Sequence, residues 1–308
     1  MKTKLTQNHL IFGSSIGVKK IFAIICLFSF FVAPSVSLAT QVSATLQGDR
    51  LFYSTPSSPL EIETPTGAFT QEVPIQLPAG RNGLQSQLFL SYNSQQYQDS
   101  IVGFGWNLTL PYIERINKKG VENLYTRNDF SSSQYGELVA TNTPGEYRPR
   151  VDGGDFVKFT FTNNTWTAVD KQGVQYKYGT LADSQVFDPN ATTHIAKWML
   201  EEVRDTNDNY VKYTYTKNNN QVYPLGIVYT GHGTTDGIYT VTFTNEARPD
   251  PVFDYSYGFL VKTTQRLQQI SVTANSLPVR SYALAYVAGN NGYRSMLSTV
   301  IESYANED

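Results

Sequence analysis

Runs of alternating aromatic, β-branched and polar residues recur roughly every dozen residues from position 67 onward. Side chains of a strand point alternately to two faces, so each run predicts a strand with one better-buried face. Glycine, Asn and Asp clusters separate the runs and predict tight turns. The runs are DFVKFTF (155–161), TWTAVD (165–170), VQYKYG (174–179), YVKYTYT (210–216), YTVTFT (239–244), LQQISVTA (267–274) and VRSYALAY (279–286). This pattern predicts an all-β protein of antiparallel hairpins in one large multi-sheet domain, shell-like or sandwich-like, with very little helix.

One segment permits two interpretations. In IAKWMLEEV (195–203), Ile195, Trp198 and Met199 would share one face of a helix. The same segment leads through Arg204-Asp205 into the next predicted strand, which favours the arm of a β-hairpin. The sequence supports both equally.

A weak internal repeat is also visible. Asp170 to Tyr178 and Asp205 to Tyr215 both follow an apolar run, begin with Asp and continue into a strand rich in Tyr and Lys. They loosely match the repeat unit of RHS proteins, with Asn209 at the place that glycine takes in the unit. Two degenerate copies suggest kinship with stacked hairpins without predicting a solenoid.

The segment from Gly67 to Ile116, here called the signature segment, reads as strand, turn, strand and glycine-rich connection. VPIQL ends at Pro78, which lacks the N–H that a sheet ladder needs. The turn that follows offers residues suited to positive φ, and Tyr92 lies in the next strand, LFLSYN. Farther on, Phe104 and Trp106 alternate with glycines, which suits close packing of backbone against rings. The candidate structural residues are Pro78, Gly80, Arg81, Asn82, Gly83, Tyr92, Gly103, Gly105 and Trp106.

These motifs carry a resemblance. The order Pro-Ile-x-Leu-Pro-x-Gly-Arg-Asn-Gly-Leu, Leu-Ser-Tyr-Asn-Ser, Gly-Phe-Gly-Trp-Asn-Leu and Ile-x-Arg resembles the opening of the SpvB-type N-terminal domain. That domain begins Salmonella virulence plasmid B proteins and the B components of insecticidal Tc toxin complexes, which are related to RHS proteins. Later motifs around Arg266, Arg280 and Arg294 resemble its closing part, so the similarity covers about 67–302.

The resemblance implies a non-enzymatic toxin or virulence component that contributes to a β-rich shell holding or helping to deliver a toxic cargo. Its implied partner is an RHS-type or other toxin-complex subunit. Two alternatives stay open. One is a surface or adhesion module that binds glycan or a host protein through Tyr and through Trp106, Trp166 and Trp198. The other is an inactive fragment of an SpvB-like ADP-ribosylating toxin.

The first 39 residues resemble a secretory signal. Lys19-Lys20 precede the apolar run IFAIICLFSFFVA, which is shorter than the roughly 20 residues of a membrane-spanning helix, and Ser37-Leu38-Ala39 suits cleavage. The sequence thus predicts Sec-dependent secretion, an extended lead-in over 40–66 and the β domain over 67–308.

Removing residues 1–39 takes away four lysines and leaves 20 basic against 26 acidic residues. That balance argues against a nucleic-acid surface and limits membrane contact to the export signal.

The residues that carry enzyme chemistry form no convincing set. The only cysteine, Cys26, lies in the predicted signal, and no G-x-S-x-G elbow occurs. His194 and His232 lack neighbouring ligand patterns and are interpreted as structural and solvated, respectively. Asp205-x-Asn207-x-Asn209 starts like a calcium loop but is better explained by a hairpin turn. We therefore predict no catalytic residue, metal or cofactor.

Paired carboxylates, a Glu-x-Glu motif and Arg81 are the remaining candidate sites. Glu61 and Glu63, and likewise Glu201 and Glu202, are paired carboxylates, but neither pair has a context that predicts acid–base work. The only Glu-x-Glu precedes the signature segment, whereas the transferase half of SpvB proteins carries that motif late in the chain. Arg81 is predicted to hydrogen-bond a neighbouring strand rather than to bind an anion.

Overall fold

The computed structural model describes residues 19–23, 61–63, 67–290 and 292–305. Within these ranges the chain forms β-strands and three short 3-10 turns, Arg81–Gly83, Val121–Asn123 and Ala182–Ser184, and no α-helix. The strands up to the middle of the chain are β1 (Lys19–Ala23), β2 (Glu61–Glu63), β3 (Ala68–Ile75), β4 (Leu88–Asn93), β5 (Asp99–Ser100), β6 (Gly103–Phe104), β7 (Trp106–Leu108), β8 (Tyr112–Arg115), β9 (Phe130–Ser132), β10 (Gly136–Ala140) and β11 (Glu146–Pro149). The later strands are β12 (Lys158–Thr162), β13 (Thr165–Val169), β14 (Gln175–Tyr178), β15 (Gln185–Asp188), β16 (Ala191–Arg204), β17 (Asn209–Asn218), β18 (Gln221–His232), β19 (Tyr239–Asp254), β20 (Val261–Ala274), β21 (Leu277–Ala288) and β22 (Ser295–Tyr304).

The central feature is a closed barrel of eight strands. Strands β8 to β14 pair antiparallel in chain order, β14 pairs with β16, and β16 pairs back with β8 to close the ring. Closure removes the open edges that a small sheet would otherwise expose. The all-β prediction is therefore confirmed, and its shell-like or sandwich-like form is specified as a barrel with additional strands.

Six long strands extend from the barrel. The strands β17 to β22 continue the same sheet from β16 as a meander of antiparallel hairpins. In β17 the alternation is clear, because Val211, Tyr213 and Tyr215 are buried while Lys212 and Thr214 are exposed. This is the pattern of a sheet with one face on the core.

The signature segment forms most of a second, four-stranded sheet in the order β2-β3-β4-β7. Its buried residues Ile75, Leu90 and Trp106 belong to the same apolar core as Trp166 in the barrel and Val241 in the meander. The three parts therefore share one core. The sheet begins with β2 at Glu61, inside the predicted lead-in over 40–66, because Glu61–Glu63 pairs with Ala68–Thr70.

The ambiguous segment 195–203 is a strand. It lies within β16, whose residues pair with β8, β14, β15 and β17 at different points along its length. Irregular pairing with β14 and β15 explains why its burial does not alternate simply and why Ile195 and Ala196 are both buried. The helical interpretation is wrong because the neighbouring strands supply the backbone partners.

The internal repeat corresponds to two turns of the same construction. Asp170 accepts backbone N–H bonds from Gln172 and Val174 at 2.9 and 3.0 Å. Asp205 likewise accepts them from the residues two and four positions later, at 2.8 and 2.9 Å. The positive φ of Gly173 (82°) is matched by Asp208 (66°). The glycine place in the second copy is thus taken by Asp208 rather than Asn209.

No helix among the described residues is long and apolar enough to cross a membrane. The predicted cleavage after Ala39 lies outside the described residues, as does most of the lead-in.

Candidate functional site

The first part of the signature segment is a hairpin with a compact connection. Strand β3 pairs with β4 from Thr70↔Asn93 to Ile75↔Leu88. The ladder therefore ends three residues before Pro78, whose carbonyl accepts a hydrogen bond of 3.0 Å from the Tyr229 hydroxyl in β18. Pro78 joins the small sheet to the long hairpins.

The turn from Gly80 to Gly83 depends on residues that tolerate a close backbone contact or a positive φ. A Cβ on Gly80 would lie 2.0 Å from the carbonyl oxygen of Leu84. Asn82 and Gly83 have φ of 53° and 76°, in the region that Asn and Gly tolerate best. The Gly80 N–H donates to Oε1 of Gln85 at 2.7 Å and tightens the turn.

This turn contacts the second copy of the Asp turn. The Asn82 side chain hydrogen-bonds the Asp205 carboxyl, which also accepts from Nδ2 of Asn209 at 2.8 Å. Desolvation acts to raise the pKa of Asp205, but the hydrogen bonds from Asn209, Asn207 and Asn82 together lower it. The carboxylate is held by the protein's own groups, as the hairpin-turn interpretation predicted.

Arg81 does not make the hydrogen bond predicted for it. Its side chain is exposed and has no hydrogen bond or ion pair with any residue in the described part of the chain. The turn is fixed instead through Asn82 and Gly80, which leaves the neighbouring guanidinium directed into solvent.

The second part of the signature segment packs Trp106 into the core. Trp106 lies opposite Tyr92 in the β4–β7 register, and their ring centroids are 5.3 Å apart. Gly105, with φ of 75°, approaches the Tyr92 ring so closely that a Cβ would lie 2.8 Å from Cε2. Gly103, with φ of 101°, would place a Cβ 2.7 Å from the carbonyl oxygen of Ser295 in β22.

Replacing Gly103 with Ala should therefore be more harmful than replacing a glycine with the same backbone constraint and free space. Gly154 is such a control, because its φ of 98° is close to the 101° of Gly103 and nothing lies within 4 Å of a Cβ there. We expect Gly154→Ala to lower the free energy of unfolding by about 1 kcal/mol and Gly103→Ala to lower it by about 1–3 kcal/mol more. Urea denaturation of both variants measures the difference, and equal losses would contradict the close packing against Ser295.

A buried ion cluster ties the signature segment to the meander. The fully buried Arg248 side chain donates to Oδ1 of Asp99 at 2.7 Å, to the carbonyl of Ser100 at 2.7 Å and to Asp250 at 3.1 Å. Asp250 in turn accepts from the Ser295 amide at 2.6 Å. Burial acts to raise the pKa of Asp250, but the bonds from Arg248 and Ser295 hold it below its usual range. We call Arg248, Asp99 and Asp250 the ion clamp.

The ion clamp was missed in the sequence. The β19–β20 register breaks between Ala247 and Val252, and this bulge contains Arg248. A bulge redirects side chains from the regular alternation. The signal available was Pro249 and Pro251 within a strand-like run, because proline cannot donate to a ladder and marks such interruptions.

The Ile-x-Arg motif at the end of the signature segment enters the barrel. Ile113 is fully buried and Arg115 is 8% exposed. The guanidinium donates to the carbonyls of Ile195 and Arg127 at 2.9 and 2.7 Å and lies 4.9 Å from the Phe130 ring centroid. Burial lowers the pKa of Arg115 from its ordinary value. Arg115 thus cross-links the barrel wall from inside.

The three tryptophans are interior residues. Trp106, Trp166 and Trp198 are 2%, 0% and 0% exposed. Phe130 meets the Trp166 and Trp198 rings edge-on, at centroid distances of 4.8 and 5.9 Å. A binding role for these tryptophans is therefore wrong, because no ligand can reach them without unfolding the core.

The histidines do not form a site. His194 stacks on the Tyr125 ring with 4.3 Å between centroids and 4° between planes. His232 is exposed, and its backbone bridges to Thr235. Among the residues described, no group of three or more His, Cys, Asp or Glu is arranged to hold a metal ion.

Glu201 serves the backbone. The residue is 7% exposed, and its carboxylate accepts from the amides of Thr180 and Leu181 at 2.9 and 2.7 Å and from the hydroxyls of Thr180 and Ser184. These bonds satisfy its oxygens, as a buried carboxylate requires.

Glu202 is separately engaged. It forms ion pairs of 3.0 Å with both Lys177 and Arg204. Glu61 and Glu63 lie in the short strand β2, and only their backbone is described. Of the two carboxylate pairs noted in the sequence, only Glu201 and Glu202 have described side chains. These two carboxylates bind different partners.

Comparison with known families assigns the chain to a family. The family described as Salmonella virulence plasmid 65kDa B protein, SpvB, matches residues 63–152 and 145–226. Proteins named Mono(ADP-ribosyl)transferase SpvB, from Salmonella choleraesuis strain SC-B67 and Salmonella typhimurium strain 14028s, are 23% identical over 183 residues. The match covers 50% of this chain and 31% of each relative, so the chain spans about a third of their length.

Solved structures share the fold. The N-terminal domain of effector protein SpvB from Salmonella typhimurium strain LT2 aligns with a TM-score of 0.64 at 18% identity, over 76% of this chain and 99% of that one. A TcdB2-TccC3-TEV crystal structure gives 0.66 at 18% identity, and the Photorhabdus luminescens Tc holotoxin pore gives 0.64 at 19%. Each of the latter two alignments covers 80% of this chain and 15% of the other.

Proposed function

Because the chain belongs to the SpvB family, we propose that it is a non-enzymatic component of a toxin complex. Its sheets contribute to a β-rich shell that holds or helps deliver a toxic cargo. The observation that carries the proposal is the fold: 80% of the chain superimposes on a TcdB2-TccC3 structure. The implied partner is an RHS-type or other toxin-complex subunit.

The contacts of the signature segment favour a structural role over a catalytic one. The signature segment uses Pro78, Asn82, Gly103 and Arg115 to join its own sheet to the meander and the barrel. In a shell, such contacts would make the wall rigid, because a wall of hairpins must keep its curvature around the cargo.

Co-expression with a toxin-complex subunit of RHS type tests this proposal. We expect the two chains to co-elute on size-exclusion chromatography and to form a closed particle in electron micrographs. A chain that stays monomeric with every such subunit tried would contradict the proposal.

We expect the chain to transfer no ADP-ribose. Its relatives are named mono(ADP-ribosyl)transferases, but the only Glu-x-Glu of this chain, Glu61 to Glu63, precedes the signature segment and does not follow it. Incubation with NAD and host-cell lysate, followed by mass spectrometry, measures transfer; a full-length SpvB protein is the positive control. Modification above background would overturn the non-enzymatic assignment.

The proposal includes export through the Sec pathway with cleavage after Ala39. The basic start, apolar run and small residues before the cut support it. Fractionation and N-terminal sequencing of the exported protein should give a chain beginning at Thr40. A protein retained with its first residues intact would count against this route.

A surface module that binds glycan or a host protein is the second candidate. The observation favouring it is the exposure of Tyr97, Tyr255 and Tyr293, at 77%, 63% and 80%. Exposed tyrosines suit recognition because they offer large, rigid contact area. A glycan array comparing the chain with Tyr97→Ala and Tyr293→Ala distinguishes the two, since a shell component should give no specific signal.

An inactive fragment is the remaining alternative, and transferase sequence directly downstream in the reading frame would favour it.

A further inference from the structure

The outer edge of β22 is unusual for the end of a large sheet. One side of β22 pairs with β21 from Arg280↔Tyr304 to Ala288↔Ser295. On its other side the described residues include a single partner, β1, which pairs from Ala23↔Thr299 to Lys19↔Ser303. The other end of the same sheet closes into the barrel, so the two ends differ.

The sequence of β22 lacks the proline and lysine that most often protect an open edge, and its one charged residue, Glu302, is buried and bonds Arg280 and Tyr282. Natural edge strands carry Lys, Pro or other features that prevent another strand from pairing. The ten residues SMLSTVIESY contain no Pro, Lys or Arg. Val300 is fully buried and Leu297 is 2% exposed, so the strand is also fixed in place by the core. A rigid edge of this length, without proline or lysine, is suited to receiving a further strand.

We propose that the outer edge of β22 is a strand-acceptor site for an extended segment, and that Lys19–Ala23 of the same chain is its occupant as long as the chain is uncleaved. The five-residue antiparallel register supplies the occupant. This goes beyond the shell role, because it assigns a binding surface and its partner irrespective of any complex. Since the occupant lies in the predicted export signal, cleavage after Ala39 would remove it and open the edge.

The direction of the backbone groups follows from one bond. The Ala305 amide donates to the carbonyl of Val279 in the direction of β21, at 3.1 Å. Backbone groups in an antiparallel ladder alternate between the two neighbouring strands. The amides of Val300 and Glu302 therefore point toward β1, where they face Phe22 and Lys20 in the register.

This alternation supplies a matched pair of substitutions in β1. The Phe22 amide faces β22 and takes part in the pairing, whereas the Ile21 amide faces away. Proline lacks the amide hydrogen, and on an edge strand it is tolerated where the N–H would face solvent. Phe22→Pro should therefore break the pairing, and Ile21→Pro should leave most of it.

Amide hydrogen exchange on the uncleaved full chain, purified without export and verified by intact mass, tests the proposal. In the unsubstituted chain we expect slowed exchange at Val300 and Glu302. Phe22→Pro should speed both at least about tenfold, while Ile21→Pro changes them less than about threefold. The amides of Ile301 and Ser303 face β21 and serve as an internal reference that the sheet is intact.

Three results would overturn the proposal. They are fast exchange at Val300 and Glu302 in the unsubstituted chain, equal acceleration by both proline variants, and protection that depends on protein concentration. The last would identify a second copy of the chain as the occupant. None of these results bears on co-assembly with an RHS-type subunit, so the two proposals can fail separately.

Discussion

Arg248→Met is expected to lower the free energy of unfolding by about 3–5 kcal/mol, the loss typical of removing one partner from a buried ion pair. The Arg248 side chain is fully buried and bonds Asp99 and Asp250 together with the Ser100 carbonyl. Methionine fills much of the volume but leaves two carboxylates and a carbonyl with fewer donors. The variant removes the charge and the hydrogen bonds of Arg248 together and keeps most of its packing volume.

Urea denaturation followed by tryptophan fluorescence measures this loss, since all three tryptophans are buried. Arg127→Met is the matched control, because Arg127 pairs with Asp129 at 2.6 Å but its side chain is 48% exposed. We expect it to cost less than about 1 kcal/mol. If Arg248→Met is too unstable to purify, adding Asp99→Asn and Asp250→Asn should restore part of the stability. Similar losses from Arg248→Met and Arg127→Met would contradict the assignment of the ion clamp.

The same clamp predicts a dependence of stability on pH. The folded protein holds the pKa of Asp250 below its ordinary value. A group with a depressed folded pKa contributes fully above its unfolded pKa, about 3.9 for Asp, and the contribution is lost as pH falls toward the folded value. Denaturation curves between pH 7 and pH 3 should therefore show a loss of stability at the acid end that is smaller in Arg248→Met. Parallel pH profiles in the two proteins would exclude this linkage.

Trp198→Ala should lower the free energy of unfolding by about 3–5 kcal/mol, as expected for truncating a large buried aromatic residue. Trp198 is fully buried, lies 6.2 Å from Trp166 between ring centroids and donates from Nε1 to the Asn164 carbonyl at 2.7 Å. Its loss would leave a cavity beside Arg115, whose guanidinium lies 5.7 Å from the Trp198 ring.

The control for Trp198→Ala is Tyr293→Ala, which truncates an aromatic residue that is 80% exposed. We expect this change to stay within about 0.5 kcal/mol. Thermal and urea denaturation of both variants give the comparison. A Trp198→Ala variant as stable as Tyr293→Ala would show that the barrel core does not depend on its aromatic cluster.

The sequence was informative where a local rule is sufficient. Alternation in YVKYTYT predicts β17, and the Asp turn at Asp205 follows from hydrogen bonds within five residues. The glycines that alternate with Phe104 and Trp106 also predict close packing of backbone against a ring, although the ring that Gly105 approaches is Tyr92 of the neighbouring strand β4.

The remaining features depend on which strands become neighbours. The β8–β16 pairing that closes the barrel joins Ile113 to Trp198, and nothing in either strand alone specifies the other. The prolines after Arg248 mark an interruption of the strand, but nothing in the sequence indicates that a bulge directs the Arg248 side chain toward Asp99. Arg81, in contrast, was predicted to bond a neighbouring strand, and no described residue bonds its side chain.

The contacts of the signature segment also have a consequence for folding kinetics. The Gln76 amide donates to the Tyr282 hydroxyl 206 positions away, and the Ser100 carbonyl accepts from Arg248 148 positions away. Contacts of such long sequence separation form slowly, because the intervening chain must first be ordered. The part synthesised early therefore stays incomplete until the last hairpins exist. Exposed strands in that interval are prone to aggregation, so a chaperone that holds the nascent chain open should raise the yield of folded protein more than one that acts after release.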